Sequence, residues 1–311
     1  MSEPVISIIV AVFNGDRTIN KCVQSLLSVD YPKYEIIIVD DGSTDRTKQI
    51  LFGYKDKIRI IQLEHQGPSK CRNKAVLEAK GDFVAFTDSD CVVDKDWIRQ
   101  LMRGFSSDDI VSVGGSQFSP EDDSYFGKRV QDCFALSGFI GGYFKKRGLA
   151  NIVEVDHNPS CNVIYRKDIF LKEGGFDETL WPGEDVDLDY RLKRKGYKLF
   201  YNPLAKVYHY RPNSFRKLSS MMFRYGFVQG IIIKRYRLVR KIILFPLLLV
   251  VMIAIGLKWP FSLLLLLLGA FLILALRLSN FINSLCVFII GVTALLSWLA
   301  GFTGGLISKG R

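Results

Sequence analysis

The sequence predicts a mixed α/β fold in which an open, mostly parallel sheet is followed by amphipathic and then strongly apolar helices. The first observation is that short apolar runs rich in β-branched residues alternate with stretches of helical spacing, which is typical of parallel strands covered on both faces. The second is a change of hydropathy near Lys241, after which almost every residue is apolar. The third is an uneven distribution of charge between the two ends of the chain.

The predicted strands are continuous apolar runs, and the helices between them place apolar residues three or four positions apart. The first four strands are 5–13, 35–39, 58–63 and 83–87, and the helices between them are 18–28, 46–54 and 69–79. The later elements are a strand at 110–118, a helix within 128–146, a short strand at 162–165 and a helix at 186–195. Because ligands of open α/β sheets bind beyond the carboxyl ends of strands, polar residues at those ends are candidate site residues.

Charge divides the chain into an acidic and a basic part. All 31 acidic residues lie at or before Asp189, whereas 19 of the 42 basic residues follow it, so residues 1–189 have a net charge of −8. Acidic side chains can hold a divalent cation, and the later cations either face ligand phosphates or form a general membrane-facing surface. Nucleic acid is not an expected partner, because the sequence has no nucleic-acid-binding motif and its basic residues lead into apolar stretches.

Three apolar stretches are candidate membrane spans: 242–257, 259–276 and 281–307. Five of the eight residues 234–241 are basic, which by the positive-inside rule places the first part of the chain in the cytoplasm. The N-terminus has no basic region or cleavage site of a signal peptide, which favours the same side. Residues 215–236 mix aromatic and basic side chains, as an interfacial amphipathic helix does. The predicted domains are a catalytic domain at 1–210, an amphipathic interface segment at 211–241 and a transmembrane domain of about three helices at 242–311.

Asp88-Ser89-Asp90 follows the fourth predicted strand. Two carboxylates two positions apart can share one hard divalent cation, which would neutralise the charge of a diphosphate leaving group. A solvated turn is the alternative, since this pattern is frequent by chance. Asp40 and Asp41 follow the second strand, where they either contact a nucleobase or ribose or form a turn that leads into a helix.

Three further motifs can take part in chemistry. Arg72 lies near the start of a predicted helix, where a guanidinium can contact a phosphate or a base. Glu184-Asp185 precedes another helix and either supplies a general base or interacts with the helix dipole. His209 is either a further metal or phosphate contact or a structural histidine between two tyrosines.

The ordered set of motifs resembles the family 2 glycosyltransferases over residues 4–210. The motifs are 5–14, 39–43, 67–69 with 72–73, 88–90, 174–178 and 183–185. The resemblance implies a GT-A fold, a nucleotide-sugar donor, Mg²⁺ or Mn²⁺, and inversion of the anomeric centre.

The resemblance also implies roles for individual residues. Asp40 and Asp41 would contact the base and ribose, and Asp88 would face the sugar nucleotide. Asp90 would bind the metal with His209. Asp185 would be the general base, supported by Glu184.

The apolar part is similar to a small version of the cellulose-synthase-like enzymes, whose Q-x-x-R-W motif holds acceptor and diphosphate. Here the matching residues are 221–225, which keep Arg224 and an aromatic residue but have Met221 in place of Gln. This difference, together with the small number of spans, favours transfer of one sugar rather than synthesis of a polymer.

The sequence therefore predicts an inverting, metal-dependent glycosyltransferase of the cytoplasmic membrane face. It would move one hexose, such as mannose or glucose, from a UDP- or GDP-sugar to a polyprenyl-linked acceptor. The alternatives are direct transfer to polyprenyl phosphate and a catalytically silent, membrane-bound sugar-binding subunit. A nucleotidyltransferase is disfavoured, because the loop after the first strand is too short to enclose a triphosphate.

Overall fold

The computed structural model of the protein describes residues 3–137, 151–237, 277–278 and 280–308. The chain divides into two compact units, one formed by 1–120 with 146–210 and the other by 121–145 with 211–311. The predicted catalytic domain therefore includes a segment, 121–145, that belongs to the second unit. The two predicted apolar stretches at 242–257 and 259–276 lie outside the described residues.

The first unit is a sheet with helices on both faces. Its strands are β1 (Ile6–Val12), β2 (Tyr34–Asp40), β3 (Arg59–Gln62), β4 (Phe83–Asp88), β5 (Cys91–Val93), β6 (Ile110–Phe118), β7 (Val153–Val155), β8 (Asn162–Arg166) and β9 (Lys198–His209). Its helices are α1 (Ile19–Leu27), α2 (Thr47–Phe52), α3 (Pro68–Glu78), α4 (Trp97–Met102), α6 (Lys167–Lys172) and α7 (Glu184–Arg194). Helix α5 (Tyr125–Ser137) belongs to the second unit.

The sheet is mixed, with the order β3-β2-β1-β4-β8-β6-β9-β5 and with β7 paired to β9. The pairs β1–β2, β1–β4, β2–β3 and β6–β9 are parallel. The pairs that involve β8, β5 and β7 are antiparallel. Six of these nine strands therefore run in one direction, which agrees with the predicted mixed and mostly parallel sheet.

Two hydrophobic clusters explain why the first strands are continuous apolar runs. Ile6, Ile8 and Val10 of β1 pack with α1, α2 and α4 on one face, while Ile9 packs with α3, α6 and α7 on the other. Alternate residues of a strand point to opposite faces, so a strand covered on both faces needs apolar residues at every position. Burial of each such side chain stabilises the fold by roughly 1.5–3 kcal/mol.

The predicted strands and helices of residues 5–90 are present, with ends shifted by one or two residues. Five elements have no counterpart in the sequence prediction: β5, α4, β7, α6 and β9. The longest of them, β9, contains Pro203, and its pairing with β6 changes register between Gly115 and Ser116. Proline is uncommon inside strands, and a change of register interrupts the side-chain alternation on which prediction depends.

The second unit is helical within the described residues. It contains α5 (Tyr125–Ser137), α8 (Phe215–Tyr236) and α9 (Phe281–Ile307), which share a core around Phe134, Met222 and Trp298. Helix α8 has the bounds of the predicted amphipathic helix, and α9 coincides with the third apolar stretch. Of the described helices, α9 alone is long and apolar enough to cross a membrane.

Helices α8 and α9 run in the same direction and are packed through glycines. A Cβ atom at Gly226 would lie 2.0 Å from the carbonyl oxygen of Trp298, and one at Gly301 would lie 1.9 Å from that of Phe223. Gly305 is similarly close to the backbone of Phe227. Small residues four positions apart on both helices thus permit contact between the two backbones, as is typical of helices packed within membranes.

Candidate active site

Arg72 joins two of the predicted site carboxylates. Its Nη2 donates to Asp88 Oδ1 at the end of β4, and its Nη1 donates to Glu184 Oε1 at the start of α7, both at 2.6 Å. The Arg72 side chain is 4% exposed and that of Glu184 is 3% exposed, whereas that of Asp88 is 28% exposed. The guanidinium thus lies beneath the carboxylates and holds Asp88 at the solvent-facing edge.

The environment of Arg72 stabilises its positive charge. Burial alone would lower the pKa of the guanidinium, but the carboxylates of Asp88, Glu184 and Asp185 outweigh burial and raise it. The side chain also lies over the ring of Phe176, 5.9 Å from its centroid. Arg72 was predicted to contact a phosphate or base; the structure places its guanidinium between two protein carboxylates.

Glu184 has an unusual protonation equilibrium. Burial, together with the neighbouring Asp185, raises its pKa from 4.5 to about 7, although Arg72 acts in the opposite direction. The hydroxyl of Ser160 lies 3.4 Å from the same Glu184 oxygen that Arg72 contacts. A buried carboxyl with a pKa near neutrality can hold or release a proton at physiological pH.

Asp185 is more exposed than Glu184 and lies at the first turn of α7. Its Oδ2 accepts from the backbone N–H of Ser160 at 2.9 Å, and its Oδ1 accepts from that of Val186 at 2.8 Å. The preceding Gly183 has φ 108°, in the left-handed region, which allows the chain to turn sharply into the helix. Asp185 is therefore fixed in orientation while part of its surface remains accessible.

Asp189, one turn further along α7, holds the segment that contacts Asp185. It accepts from the backbone N–H of Asn158 at 2.7 Å and from the Tyr165 hydroxyl at 2.8 Å. Its Oδ2 also lies 2.9 Å from His157 Nδ1. Burial raises the pKa of Asp189, although these hydrogen bonds oppose the increase. Asp189 was not singled out from the sequence, since its partners lie 24 to 32 residues away.

Asp90 and His209 meet at the end of the β5–β9 pair. Asp90 Oδ1 lies 3.2 Å from His209 Nε2, and the Asp90 side chain is 45% exposed. A carboxylate oxygen of Asp90, the Sγ atom of Cys91 and a ring nitrogen of His209, each a potential metal ligand, all lie within 4.8 Å of one another. The two predicted metal residues are thus adjacent, and their carboxylate and imidazole donors fit a divalent cation.

Asp40 and Asp41 stabilise the turns that follow β2 and β3. Asp40 Oδ1 accepts from the backbone of Ser43 at 3.0 Å, whereas its Oδ2 has no hydrogen-bond partner among the described residues. Asp41 accepts from the backbone of Gln66 at 2.6 Å and of Gly67 at 2.9 Å. Both side chains are buried, so any contact with a ligand involves a small part of their surface.

Two exposed rings lie beside these turns. The rings of Phe13, which follows β1, and His65, which follows β3, have centroids 4.1 Å apart. His65 Nδ1 is also 3.5 Å from Asp41 Oδ2. No role was predicted for either ring, because their proximity depends on the parallel order of β3, β2 and β1. Exposed aromatic faces at this edge can stack on a planar ligand.

Arg224, the remaining predicted contact, belongs to the second unit. It is exposed on α8, beside the glycine-packed face. The site of the first unit thus has three parts: a carboxylate and imidazole pair, a partly exposed carboxylate at a helix start, and a buried guanidinium that fixes the carboxylates. This combination can bind a cation and remove a proton from a hydroxyl group.

Comparison with known proteins identifies related sequences. Residues 7–173 match the family described as Glycosyl transferase family 2. Glycosyltransferase AglE of Haloferax volcanii is 29% identical over 231 residues, which are 72% of each chain. Poly-beta-1,6-N-acetyl-D-glucosamine synthase of Staphylococcus aureus is 27% identical over 225 residues, which cover 71% of this chain and 53% of that protein. The chain thus spans about half the length of the second relative.

Solved structures show the same fold. Mannosyltransferase PcManGT from Pyrobaculum calidifontis, in complex with GDP-Man and Mn²⁺, aligns over 100% of this chain and 89% of its own, with a TM-score of 0.70 and 18% identity. GalNAc-T7 with UDP, GalNAc and Mn²⁺ aligns over 73% of this chain and 51% of its own, with a TM-score of 0.54 and 17% identity. The mixed sheet of the first unit is therefore GT-A-like.

Proposed function

The chain belongs to glycosyltransferase family 2, and from that premise we propose that it moves one sugar from a UDP- or GDP-sugar to a lipid-linked acceptor, with inversion. The observation that carries the proposal is the link from Asp88 through Arg72 to Glu184, next to Asp185. This link joins a donor-side carboxylate at the end of β4 to a base-side carboxylate on α7. Such a connection suits an enzyme that must align two substrates.

The donor would bind along the carboxyl ends of β1, β2 and β4. Phe13 and His65 would stack on the nucleobase, and Asp40 and Asp41 would contact base and ribose or shape that edge. Asp88 would face the sugar. Asp90 and His209 would hold Mg²⁺ or Mn²⁺, which neutralises diphosphate charge when bound. The complexes of GDP-Man, UDP and Mn²⁺ with proteins of the same fold support this donor class.

Asp185 would act as general base in a single displacement. Its carboxylate accepts the proton of an acceptor hydroxyl while that oxygen forms a bond to the anomeric carbon. The bond from that carbon to the diphosphate oxygen breaks, and the nucleoside diphosphate leaves with the electron pair. One displacement inverts the configuration. Glu184 and Arg72 would keep the Asp185 region fixed during this step.

The acceptor side is proposed from the second unit. An apolar α9 and an α8 that carries exposed Arg224 suit an integral membrane protein whose acceptor is anchored in lipid. The catalytic unit would lie in the cytoplasm, where nucleotide sugars are made. Met221 in place of Gln favours single transfer, although the relative from Staphylococcus aureus is named as a polymer synthase.

A donor screen tests the proposal. Purified protein is incubated with a panel of UDP- and GDP-sugars, lipid extract of the source membrane and Mn²⁺ or Mg²⁺. We expect sugar from one donor to enter the lipid fraction, and a chelator to stop the transfer. Thin-layer chromatography separates glycosylated polyprenyl phosphate from longer lipid-linked glycans. Absence of transfer from every donor by a folded protein would favour a silent sugar-binding subunit.

Asp90→Ala tests the metal assignment, with Asp96→Ala at the exposed start of α4 as the matched control. The Asp90 variant should lose transfer by at least a hundredfold, and Mn²⁺ binding measured by calorimetry should weaken. The control should keep both. Undiminished transfer by Asp90→Ala would overturn the role of Asp90.

A further inference from the structure

A buried thiol lies directly beside the Asp90–His209 pair. Strands β5 and β9 are antiparallel, and Cys91 is the register partner of His209. Side chains of directly opposed residues lie on the same face of a sheet, so the thiol and the imidazole are neighbours. Cys91 is 1% exposed, so its thiol lies within the fold beside the partly exposed pair.

The geometry of the three donors suits one cation. Ligand-type atoms of Asp90, Cys91 and His209 lie within 4.8 Å of one another. In a tetrahedral zinc site, metal–ligand distances of roughly 2.0–2.3 Å place the ligand atoms about 3.5 Å apart. Side-chain rotations could close the remaining difference, because Asp90 is partly exposed and lies just outside the strand.

The thiol changes which metals this site prefers. Carboxylate and water oxygens suit Mg²⁺ and Mn²⁺, whereas thiolates select ions such as Zn²⁺. All six cysteines are free. Among the described strand pairs, Cys91 is the cysteine whose register partner is a histidine. A bound cation deprotonates a coordinating thiol, so its proton passes to solvent as the sulfur–metal bond forms.

We propose that Asp90, Cys91 and His209 form a carboxylate–thiolate–imidazole site for a thiophilic divalent cation of the Zn²⁺ or Cd²⁺ class. This ion would compete with Mg²⁺ or Mn²⁺ for Asp90 and His209. A tetrahedral ion with three protein ligands has one position left for a substrate oxygen. An octahedral ion held by two protein ligands has more open positions. A thiophilic ion would therefore inhibit sugar transfer. The competition rests on the proposed function, whereas binding of the thiophilic ion does not.

Cd²⁺ alone is the probe of binding. Purified full-length protein is titrated with Cd²⁺, and the ultraviolet charge-transfer band of a cadmium–thiolate bond is recorded. We expect the band to saturate at one equivalent and to release one proton per ion in weakly buffered solution. Cys91→Ala should lose the band and bind Cd²⁺ more than tenfold more weakly. Cys133→Ala, which removes a buried thiol from the helical core of the second unit, should keep the band.

Two outcomes overturn the proposed thiolate site. One is the absence of the band in wild-type protein that shows cooperative thermal unfolding, and the other is an undiminished band in Cys91→Ala. Because the wild-type result already decides the first outcome, the test does not depend on how well the variant folds. Free Mn²⁺, measured by electron paramagnetic resonance, should rise when Cd²⁺ is added to Mn²⁺-loaded protein. Cd²⁺ binding without Mn²⁺ release would support the thiolate site but contradict competition between the two ions. If the protein proved inactive with every donor, the proposed function would fail, but the cadmium–thiolate band should still appear.

Discussion

Arg72 is the residue on which the arrangement of the site depends most, because it is the shared partner of Asp88 and Glu184. Removing one partner of a buried ion pair costs about 3–5 kcal/mol, since the other charge remains buried. Lysine cannot replace this arginine well, because a single ammonium group lacks the fork that reaches two carboxylates. The free energy of unfolding of the protein therefore depends on charges that also organise the site.

Protonation of Glu184 should make the stability depend on pH. Its pKa is about 7 in the folded protein and is ordinarily 4.5, so the folded state binds more protons between these values. The contribution of Glu184 to stability is fully present below pH 4.5 and is lost as pH rises through about 7. The difference between the two pKa values sets the size of this contribution at up to about 3 kcal/mol. Urea unfolding of wild type and Glu184→Gln at several pH values measures this contribution.

Glu184→Gln keeps the shape of the side chain but cannot titrate. As pH rises from 5 to 8, the free energy of unfolding of wild type should fall relative to that of this variant. A difference that is constant over this range, or that moves in favour of wild type, would contradict the raised pKa of Glu184.

Single residues show which parts of the site the sequence can indicate, and the roles of these residues stay predictions. Asp88, Asp90 and Asp185 were predicted because each follows a strand or begins a helix, where side chains of parallel sheets reach a ligand. The position of Arg72 between two carboxylates was not predicted, since Glu184 lies 112 residues further along the chain. Cys91 and His209 are likewise neighbours only because a short strand, β5, pairs with a distant one.

Among the described helices, α8 and α9 form the closest backbone-to-backbone contact. Their glycines bring one backbone against the other, so even a methyl group at the contact must displace a helix. The sequence predicted both helices with their observed bounds from composition and apolar length. Their mutual packing was not predicted, because the spacing of glycines becomes informative only when two helices are known to face each other.

Gly301→Ala should destabilise the second unit, whereas Gly304→Ala on the same helix should not. A Cβ at Gly301 would lie 1.9 Å from the Phe223 oxygen, while one at Gly304 would lie 3.5 Å from the Phe227 ring, an ordinary contact. We expect a loss of about 1–3 kcal/mol for the first variant. Thermal unfolding of detergent-purified protein, followed by circular dichroism, measures both. Equal melting temperatures for the two variants would contradict the backbone contact of α8 and α9.

At the scale of the whole molecule, the chain combines a GT-A-like unit with a helical unit that contains an apolar helix. The parallel part of the sheet was predictable because each strand is buried on both faces and is followed by a helix. The strands after residue 90 were less predictable, since antiparallel and register-shifted pairs lack a continuous apolar run. The grouping of α5 with α8 and α9 was not predicted either, because these helices are distant in sequence and share a core only in the folded chain.

Membrane association of the full chain is a direct consequence of the proposed role of α9. Membranes from expressing cells are washed with high salt and then with alkaline carbonate. The protein should stay in the pellet after both washes and enter solution with detergent, because the 27-residue, mostly apolar α9 would lie within the bilayer. Release by salt alone would instead indicate attachment through the basic residues, and would contradict a membrane-spanning α9.

Asp185 provides the most direct test of the central claim, which is that the carboxylate at the start of α7 is the base of a sugar transfer. Asp185→Asn is compared with Asp168→Asn, the same change in the first turn of the exposed start of α6. Donor binding is measured by calorimetry and transfer by radiolabelled sugar in the lipid fraction. The Asp185 variant should bind donor within about twofold of wild type and lose transfer by about 10²–10⁴-fold, while the control keeps both. Transfer by Asp185→Asn within tenfold of wild type would contradict the assignment.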